Sequence, residues 1–400
     1  MNNISHTISA FFTNLKSDIR AELSAIFQDS GALLLLVIAL PLYTIIYSMA
    51  YGSEVVRNVA IGVVDEDKTS SSRELINGII SGPNTAIRYE PQSILEAQEL
   101  YFDDKIFGIV YIPHGYERNL LSNTQANIGL ILDGSHLLLY RQVLEQVATD
   151  ALTHGATIEL MHLMERGESE PSAMATIEPV TPDMHHLYNR SLGYGSFVMP
   201  SVIMVIIQQT LVIGLAMIAA RRRLKGLGIE NISASSTIAK ILVYQIIYGI
   251  NLIIILGVIW QIFGFPYIGN TIDIALFVAL YIIATLALGM AVAQLFKRRE
   301  SPLLLLLSTS VPILLLAGVS YPREAYDSWL YNIGRLLPSS SGVDGFIALA
   351  SRGATLSDIL PEIITLSLLA IIYFAFALII NRKLQQKSRG IKNHEQFARG

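Results

Sequence analysis

Six stretches of ~20 mostly apolar residues interrupt the chain, each long enough to cross ~30 Å of hydrocarbon as a helix. They run from about 31 to 51, 197 to 220, 238 to 263, 272 to 296, 302 to 319 and 359 to 380. None carries Lys, Arg or Glu across its centre, and Asp273 sits at an end of the fourth. Between the first and second stretches the pattern changes. Strand-like runs at 58–64, 85–89, 106–112 and 127–132 alternate with helical periodicity at 70–80, 93–103 and 136–166. Alternation of this kind implies an α/β unit with a mainly parallel sheet. The segment 167–186, with three prolines and several acids, reads as a linker. The predicted fold class is a membrane α-helical protein of six transmembrane helices with an inserted α/β domain at 52–190.

Ahead of the first span, Ile4, Ile8, Phe11, Phe12, Leu15, Ile19, Leu23 and Ile26 recur at steps of three and four. Asn14, Lys16, Ser17, Asp18 and Glu22 take the other side, so residues 1–30 are expected to form an amphipathic helix lying in the membrane interface. It serves either as an anchor or as a surface against which a cytoplasmic partner pushes; the pattern is the same for both.

Charge gives these segments a direction. Only 15% of residues are charged, against about 25% in soluble domains, and the net charge of -4 hides a segregation. Lys16 and Arg20 precede the first span. Arg221, Arg222, Arg223, Lys225 and Lys240 lie about the turn between the second and third, and Lys297, Arg298 and Arg299 between the fourth and fifth. Arg382, Lys383, Lys387, Arg389, Lys392 and Arg399 follow the last. The intervening 264–271 loop has no basic residue, and 320–358 has only Arg323, Arg335 and Arg352. Positive loops stay cytoplasmic. Both termini are therefore expected inside, with a basic cytoplasmic tail at 381–400 and with 52–190 and the 320–358 loop outside. The 52–190 segment itself holds 20 acidic residues against 9 basic. No basic, aromatic-bearing face suited to nucleic acid is present. A cleavable leader is the competing reading of the first span, since Ser48-Met49-Ala50 has small-x-small spacing. Against it, an apolar run of ~20 residues exceeds the usual 7–15 of a leader.

The residue inventory excludes several chemistries. Without cysteine there are no disulfides, thiolate metal sites or thiol nucleophiles. Gly-Lys never occurs, so a P-loop is absent, as is a GxSxG elbow. No pair of mid-span carboxylates suggests proton coupling. The chain is therefore expected to be no enzyme, to lack its own ATPase site and to bind no cofactor. His154 and His162, eight apart, and the adjacent His185 and His186 show no metal-ligand spacing and read as solvated surface residues. Asp65, Glu66 and Asp67 read as an acidic turn at a strand end without the spacing of a calcium loop. Polar residues do fall inside the spans: Gln208 and Gln209 in the second, and Tyr244, Gln245, Tyr248 and Asn251 in the third. They are either interhelical hydrogen-bonding glue, at ~0.6 kcal/mol per bond, or the lining of a substrate path or dimer seam. Pro41, Pro200, Pro302 and Pro312 suggest kinks whose freed carbonyls neighbouring helices satisfy.

The order of one span, a large insertion and five further spans resembles the permease subunits of bacterial ABC-2-type (type V) exporters over nearly the whole chain. Val63-Val64-Asp65-Glu66-Asp67 with Ser71-Ser72-Arg73-Glu74-Leu75 is similar to that family's opening strand and helix. So are Glu96-Ala97 with the Gly108 to Pro113 strand, the Asp133-Gly134-Ser135 turn, Tyr188-Asn189 with Phe197 to Pro200, and Trp329 with Leu337-Pro338. Two departures stand out. Arg221-Arg222-Arg223-Leu224-Lys225-Gly226-Leu227-Gly228 replaces the usual Arg-Glu then Gly-Thr-x-Glu, and a Met-Pro pair before Trp329 is missing. The resemblance implies a half-transporter in a bacterial inner membrane, pairing with a second permease copy or a paralogue and with a separate ABC ATPase subunit that binds ATP and Mg. It implies a coupling loop at 221–236, with Arg221, Arg222, Arg223, Lys225 and Glu230 facing the ATPase, and a hydrophobic or amphipathic substrate such as a drug or lipid-like molecule. Membrane lipid and a periplasmic adaptor complete the implied partners. The rival reading is a membrane-anchored envelope assembly or sensor protein that binds through its exterior domain.

Overall fold

The computed structural model describes residues 2–190, 192–225, 232–296, 298 and 300–397. It divides into a helical unit, residues 1–54 with 186–400, and an α/β unit, residues 55–185. The helical unit opens with α1 (Asn2–Phe27) and α2 (Ser30–Tyr51), the latter containing a π-helical turn at Leu34–Ile38. Asp29 separates them: its carboxylate accepts the Gly31 and Ala32 amides and caps α2.

The α/β unit runs β1 (Val59–Asp65), α3 (Ser70–Ser81), β2 (Thr85–Tyr89), α4 (Ile94–Phe102), β3 (Gly108–Ile112), α5 (Tyr116–Leu121), β4 (Gly129–Leu132), α6 (Leu137–Glu165) and α7 (Glu170–Ile177). Sheet order is β2-β1-β3-β4; the first three are parallel and β4 is antiparallel to β3, with Gly108 opposite Leu132. Strand alternation sends Val59, Ile61 and Val63 to one core with Leu75 and Ile79 of α3 and Val143 and Val147 of α6. Val64 and Ile109 go to a smaller core with Ala97 and Ile106. Thr69 and Ser72 form a capping box at the start of α3. The 167–186 stretch is not wholly irregular. Pro171 falls in the first turn of α7, where its missing N–H costs nothing, and Ala173 is buried.

The rest of the helical unit comprises α8 (Tyr194–Leu224), α9 (Ala234–Phe263, with a π-helical turn at Ile255–Ile259), α10 (Thr271–Ala293), α11 (Ser301–Leu316), α12 (Ser328–Gly334), α13 (Pro338–Arg352) and α14 (Leu360–Phe397). Among the described residues five helices, α2, α8, α9, α10 and α14, are long and apolar enough to cross a membrane. The sequence suggests six. The remaining stretch, α11, is apolar but has 16 residues, ~24 Å of helix, because the chain turns at Gly318 with φ 78°. The expected 320–358 loop contains α12 and α13, and the start of α13 (Pro338 to Val343) is buried. The expected tail from residue 381 continues α14 without a break as far as Phe397.

At the centre lies α8, with 89% of its apolar window buried against 22% for α14. It packs on α2, α10, α11 and α13. Two close approaches need glycine: a Cβ on Gly214 would lie 2.6 Å from Leu36 of α2, and one on Gly289 of α10 would lie 2.6 Å from Leu215 of α8. Small residues at crossings are the usual way membrane helices gain packing contacts. The outward faces of α9 (Ile246, Ile250, Ile253) and α14 (Ile364, Ile371, Ile379) are exposed and apolar, as lipid requires.

Candidate functional site

Among the described residues a dense charged cluster of the helical unit gathers at the end of α8. Consecutive helical residues point ~100° apart, so Arg221, Arg222 and Arg223 leave the helix in three directions. Arg221 reaches the buried Asp29 carboxylate at 3.4 Å. Arg222 donates to Glu22 Oε2 of α1 at 3.1 Å. Arg223 donates to the Gln294 carbonyl and side-chain oxygen at 3.2 and 3.1 Å, and also to the Phe296 carbonyl, just past α10.

Glu22 is the hub. It is 3% exposed, and besides Arg222 it accepts from Lys240 Nζ at 2.6 Å and Tyr244 OH at 2.9 Å, both on α9. Its expected place on the polar side of the leader is therefore corrected. The carboxylate is buried against α9, tolerable because two cations and a phenol neutralise and hydrogen-bond it. Removing one member would leave an uncompensated buried charge. Sequence reasoning singled out the arginines but missed Glu22, Asp29 and Lys240 as one network. The available signal was Lys240 inside an apolar helix, since an ammonium there demands a partner. Lys225 is exposed and lines a cavity of about 460 Å³ with Asp18, Glu22, Gln28, Arg222 and Ser236. Glu230 lies outside the described residues.

The six mid-span polar residues do not converge. Tyr244 belongs to the Glu22 network. Tyr248 OH and Thr210 Oγ1 meet at 2.8 Å and join α9 to α8, while Gln245 Nε2 donates to the Ala279 carbonyl of α10 at 2.6 Å. Gln208 Oε1 accepts from the Ser339 amide at 2.7 Å, capping the buried start of α13. Asn251 is buried and its Nδ2 has no hydrogen-bond partner, as is true of Gln208 Nε2 and Gln209 Nε2. Of the six, Gln209 lines a cavity of about 340 Å³ between α2, α8 and α11, with Tyr43, Tyr47, Thr210 and Ser310. Gln245 lines another, of about 400 Å³, between α9 and α10.

In the α/β unit the carboxyl ends of β1 and β3, where parallel α/β sheets hold ligands, are filled by the chain's own acids. Asp67 accepts the Gly115 and Glu117 amides at 2.7 and 2.9 Å and the Thr69 hydroxyl at 2.8 Å. Glu117 accepts from the Ser70 hydroxyl at 2.6 Å and the Ser71 amide at 3.1 Å. Burial pulls the Asp67 carboxyl up, but the Glu117, Gly115 and Tyr116 amides and the Thr69 hydroxyl outweigh it and hold it below the ordinary range. Asp133 is held down to about 2, first by the Ser135 hydroxyl, then by His136 and the Ser135 amide. The expected surface position of His154 is corrected: its ring stacks on Tyr116 at 6.3 Å, its Nε2 is buried, and burial lowers its pKa. Exposed His185 lies 3.2 Å from Asp183. Among the described residues no three His, Asp or Glu side chains converge as a metal site would require.

Known proteins bear on what these two units serve. The chain is 23% identical over 336 residues to the "Probable multidrug ABC transporter permease YbhR" of Escherichia coli K12, covering 82% of this chain and 87% of that protein. It is 27% identical over 142 residues to the "Inner membrane transport permease YhhJ" of the same organism, covering 36% of this chain and 37% of that one. No solved structure matches. Residues 31–379 match the family described as "ABC-2 family transporter protein", from the start of α2 to within α14. Most of both units falls inside that match, so this chain belongs to the ABC-2 family of transporter proteins.

Proposed function

We propose that the chain is the permease subunit of an ATP-driven exporter of hydrophobic or amphipathic molecules, drug-like or lipid-like. In this reading α2, α8, α9, α10, α11 and α14 are six spans, with α11 completing its crossing through residues 317–319. Both termini are cytoplasmic and the α/β unit is extracytoplasmic. The observation that carries the reading is the charged junction: Glu22 and Asp29, with Arg221, Arg222 and Lys240, tie the leader helix and its junction with α2 to α8 and α9, and Arg223 ties α8 to the end of α10. A push on α1 by a separate ATPase subunit, where ATP and Mg bind, is thereby passed to three spans at once. Lys225 and the 226–236 segment, Glu230 included, form the rest of the contact with that subunit. A second permease copy or a paralogue completes the transporter. The cavity beside Gln209, bounded by α2 and α11, is the candidate substrate path or dimer seam. The name of the E. coli relative, a probable multidrug permease, supports the substrate class.

The test is purification from native membranes in mild detergent, followed by reconstitution in vesicles. A P-loop ATPase recovered in equal amount, with ATP-dependent movement of a hydrophobic dye, supports the reading. Recovery without an ATPase, together with no ATP-dependent transport, overturns it.

A further inference from the structure

A second feature of the helical unit is independent of what is exported. Along α9, Gln245, Gly249, Leu256, Gly257 and Gln261 fall on one face, and opposite them α10 presents its stretch from Thr271 to Ile282; together they line an apolar groove of about 400 Å³. Both walls are membrane-crossing helices whose neighbouring residues Ile246, Ile250, Ile253 and Leu276 are exposed and apolar. The groove opens to the lipid side.

Glycine keeps it open. A Cβ built on Gly249 or on Gly257 would meet nothing within 4 Å, and neither glycine has a positive φ. So neither close packing nor backbone conformation calls for glycine there, although glycine costs a helix ~1 kcal/mol relative to alanine. What the two glycines supply is space.

The dimensions select the occupant. From Gln245 to Gln261 is ~24 Å of helix, so a volume of about 400 Å³ is drawn out into a long, narrow slot. A helix ~10 Å across has a section of ~80 Å² and cannot enter it. A single hydrocarbon tail can, and the groove is longer than the ~15 Å of one leaflet. No charged side chain lines the groove. At the far end Gln245 spends its amide on the Ala279 carbonyl; the other polar side chains gather at the opposite end, where Tyr267 OH donates to Thr271 Oγ1 at 3.2 Å and Gln261 is exposed. Those donors suit the ester carbonyls at the head of a glycerolipid.

We propose that the groove between α9 and α10 binds one acyl chain of a membrane phospholipid, with its glycerol backbone at the Gln261–Thr271 end. The lipid fills the gap between two helices that would otherwise have to collapse on each other or stand apart.

The test uses the full-length protein in lipid nanodiscs containing a phosphatidylethanolamine with a photoreactive diazirine midway along one acyl chain. After illumination, adducts are mapped by mass spectrometry. Adducts concentrated on 249–257 and 274–282 in the unaltered protein support the proposal. Adducts spread evenly over these segments and the outward face of α14 overturn it, and this reading needs no variant. In the Gly249→Leu/Gly257→Leu protein, groove adducts should fall about tenfold while those at Ile364 and Ile371 stay unchanged; persistence of groove adducts overturns the proposal. Because the chain has no cysteine, Gly257→Cys carries a single thiol. Efficient disulfide formation between two copies would place a second permease helix there instead and also overturn it.

Discussion

Two carboxylates, the part-buried Asp67 and the buried Glu22, show how differently the two units use charge. Asp67 in the α/β unit takes backbone amides and a hydroxyl, all from its own crevice, and no cation. Glu22 in the helical unit takes an ammonium, a guanidinium and a phenol from two other helices. At the edge of a soluble sheet, water and amide dipoles disperse a negative charge, so an acid can serve simply to tie two turns together. Among packed helices solvent is scarce, and a carboxylate persists only with a formal counter-charge. Polar residues therefore hold loops in one unit and fix the relative positions of helices in the other. That is why the charged junction, and not the acidic crevice, is the place to look for mechanical coupling.

The comparison can be broken most forcefully at Lys240. Lys240→Met should destabilise the protein by ~3–5 kcal/mol, seen as a large drop in melting temperature in detergent, because Glu22 loses its closest cation. Glu22→Leu combined with Lys240→Leu should regain much of that loss. A double variant as unstable as the single one would show that the network acts through packing rather than charge. Asp67→Ala should cost less, ~1–3 kcal/mol, from unsatisfied amides at Gly115 and Glu117. Hydrogen exchange should show that loss in α3 and α5 and leave α8 unaffected. Tyr248→Phe, which removes one interhelical bond, should cost only ~0.6 kcal/mol. The exposed Arg141–Glu145 pair on α6 marks the lower limit: Arg141→Ala should change stability by ~0.3–0.5 kcal/mol or less.

Acid sharpens the same contrast. The folded Asp133 carboxyl is lowered from 3.8 to about 2, so its stabilising contribution is complete above pH 3.8 and is lost as pH falls toward about 2. Asp67 and Glu117 shift in the same direction. Protection factors of β3 and β4 amides, corrected for the intrinsic pH dependence of exchange, should therefore fall on acidification through that window, and Asp133→Asn should remove part of that pH dependence.

The sequence displays what is local and conceals what is distant. Apolar run length marks the helices, and β2 lies where the pattern puts it, at Thr85–Tyr89. Short elements escape the pattern: α5 begins after Gly115 at φ 82°, a turn with no periodicity of its own. The shortness of α11 is set by the Gly318 turn, which hydropathy does not register. For the candidate site, the i, i+4, i+7 spacing of Tyr244, Tyr248 and Asn251 puts them on one face of α9 but does not say what that face meets. Glu22 and Arg222 are 200 residues apart, and nothing near either residue names the other. His154 looked solvated because the ring it stacks on, Tyr116, belongs to a different element.

All of this depends on which side of the membrane each unit occupies. The direct measurement labels single-cysteine variants with a membrane-impermeant maleimide applied outside intact cells, which the cysteine-free background permits. Leu152→Cys in the α/β unit should be labelled, and Lys225→Cys and Arg298→Cys should react only after the membrane is opened. Labelling of Lys225→Cys from outside, or protection of Leu152→Cys, would contradict the threading and with it the ATP-coupled exporter.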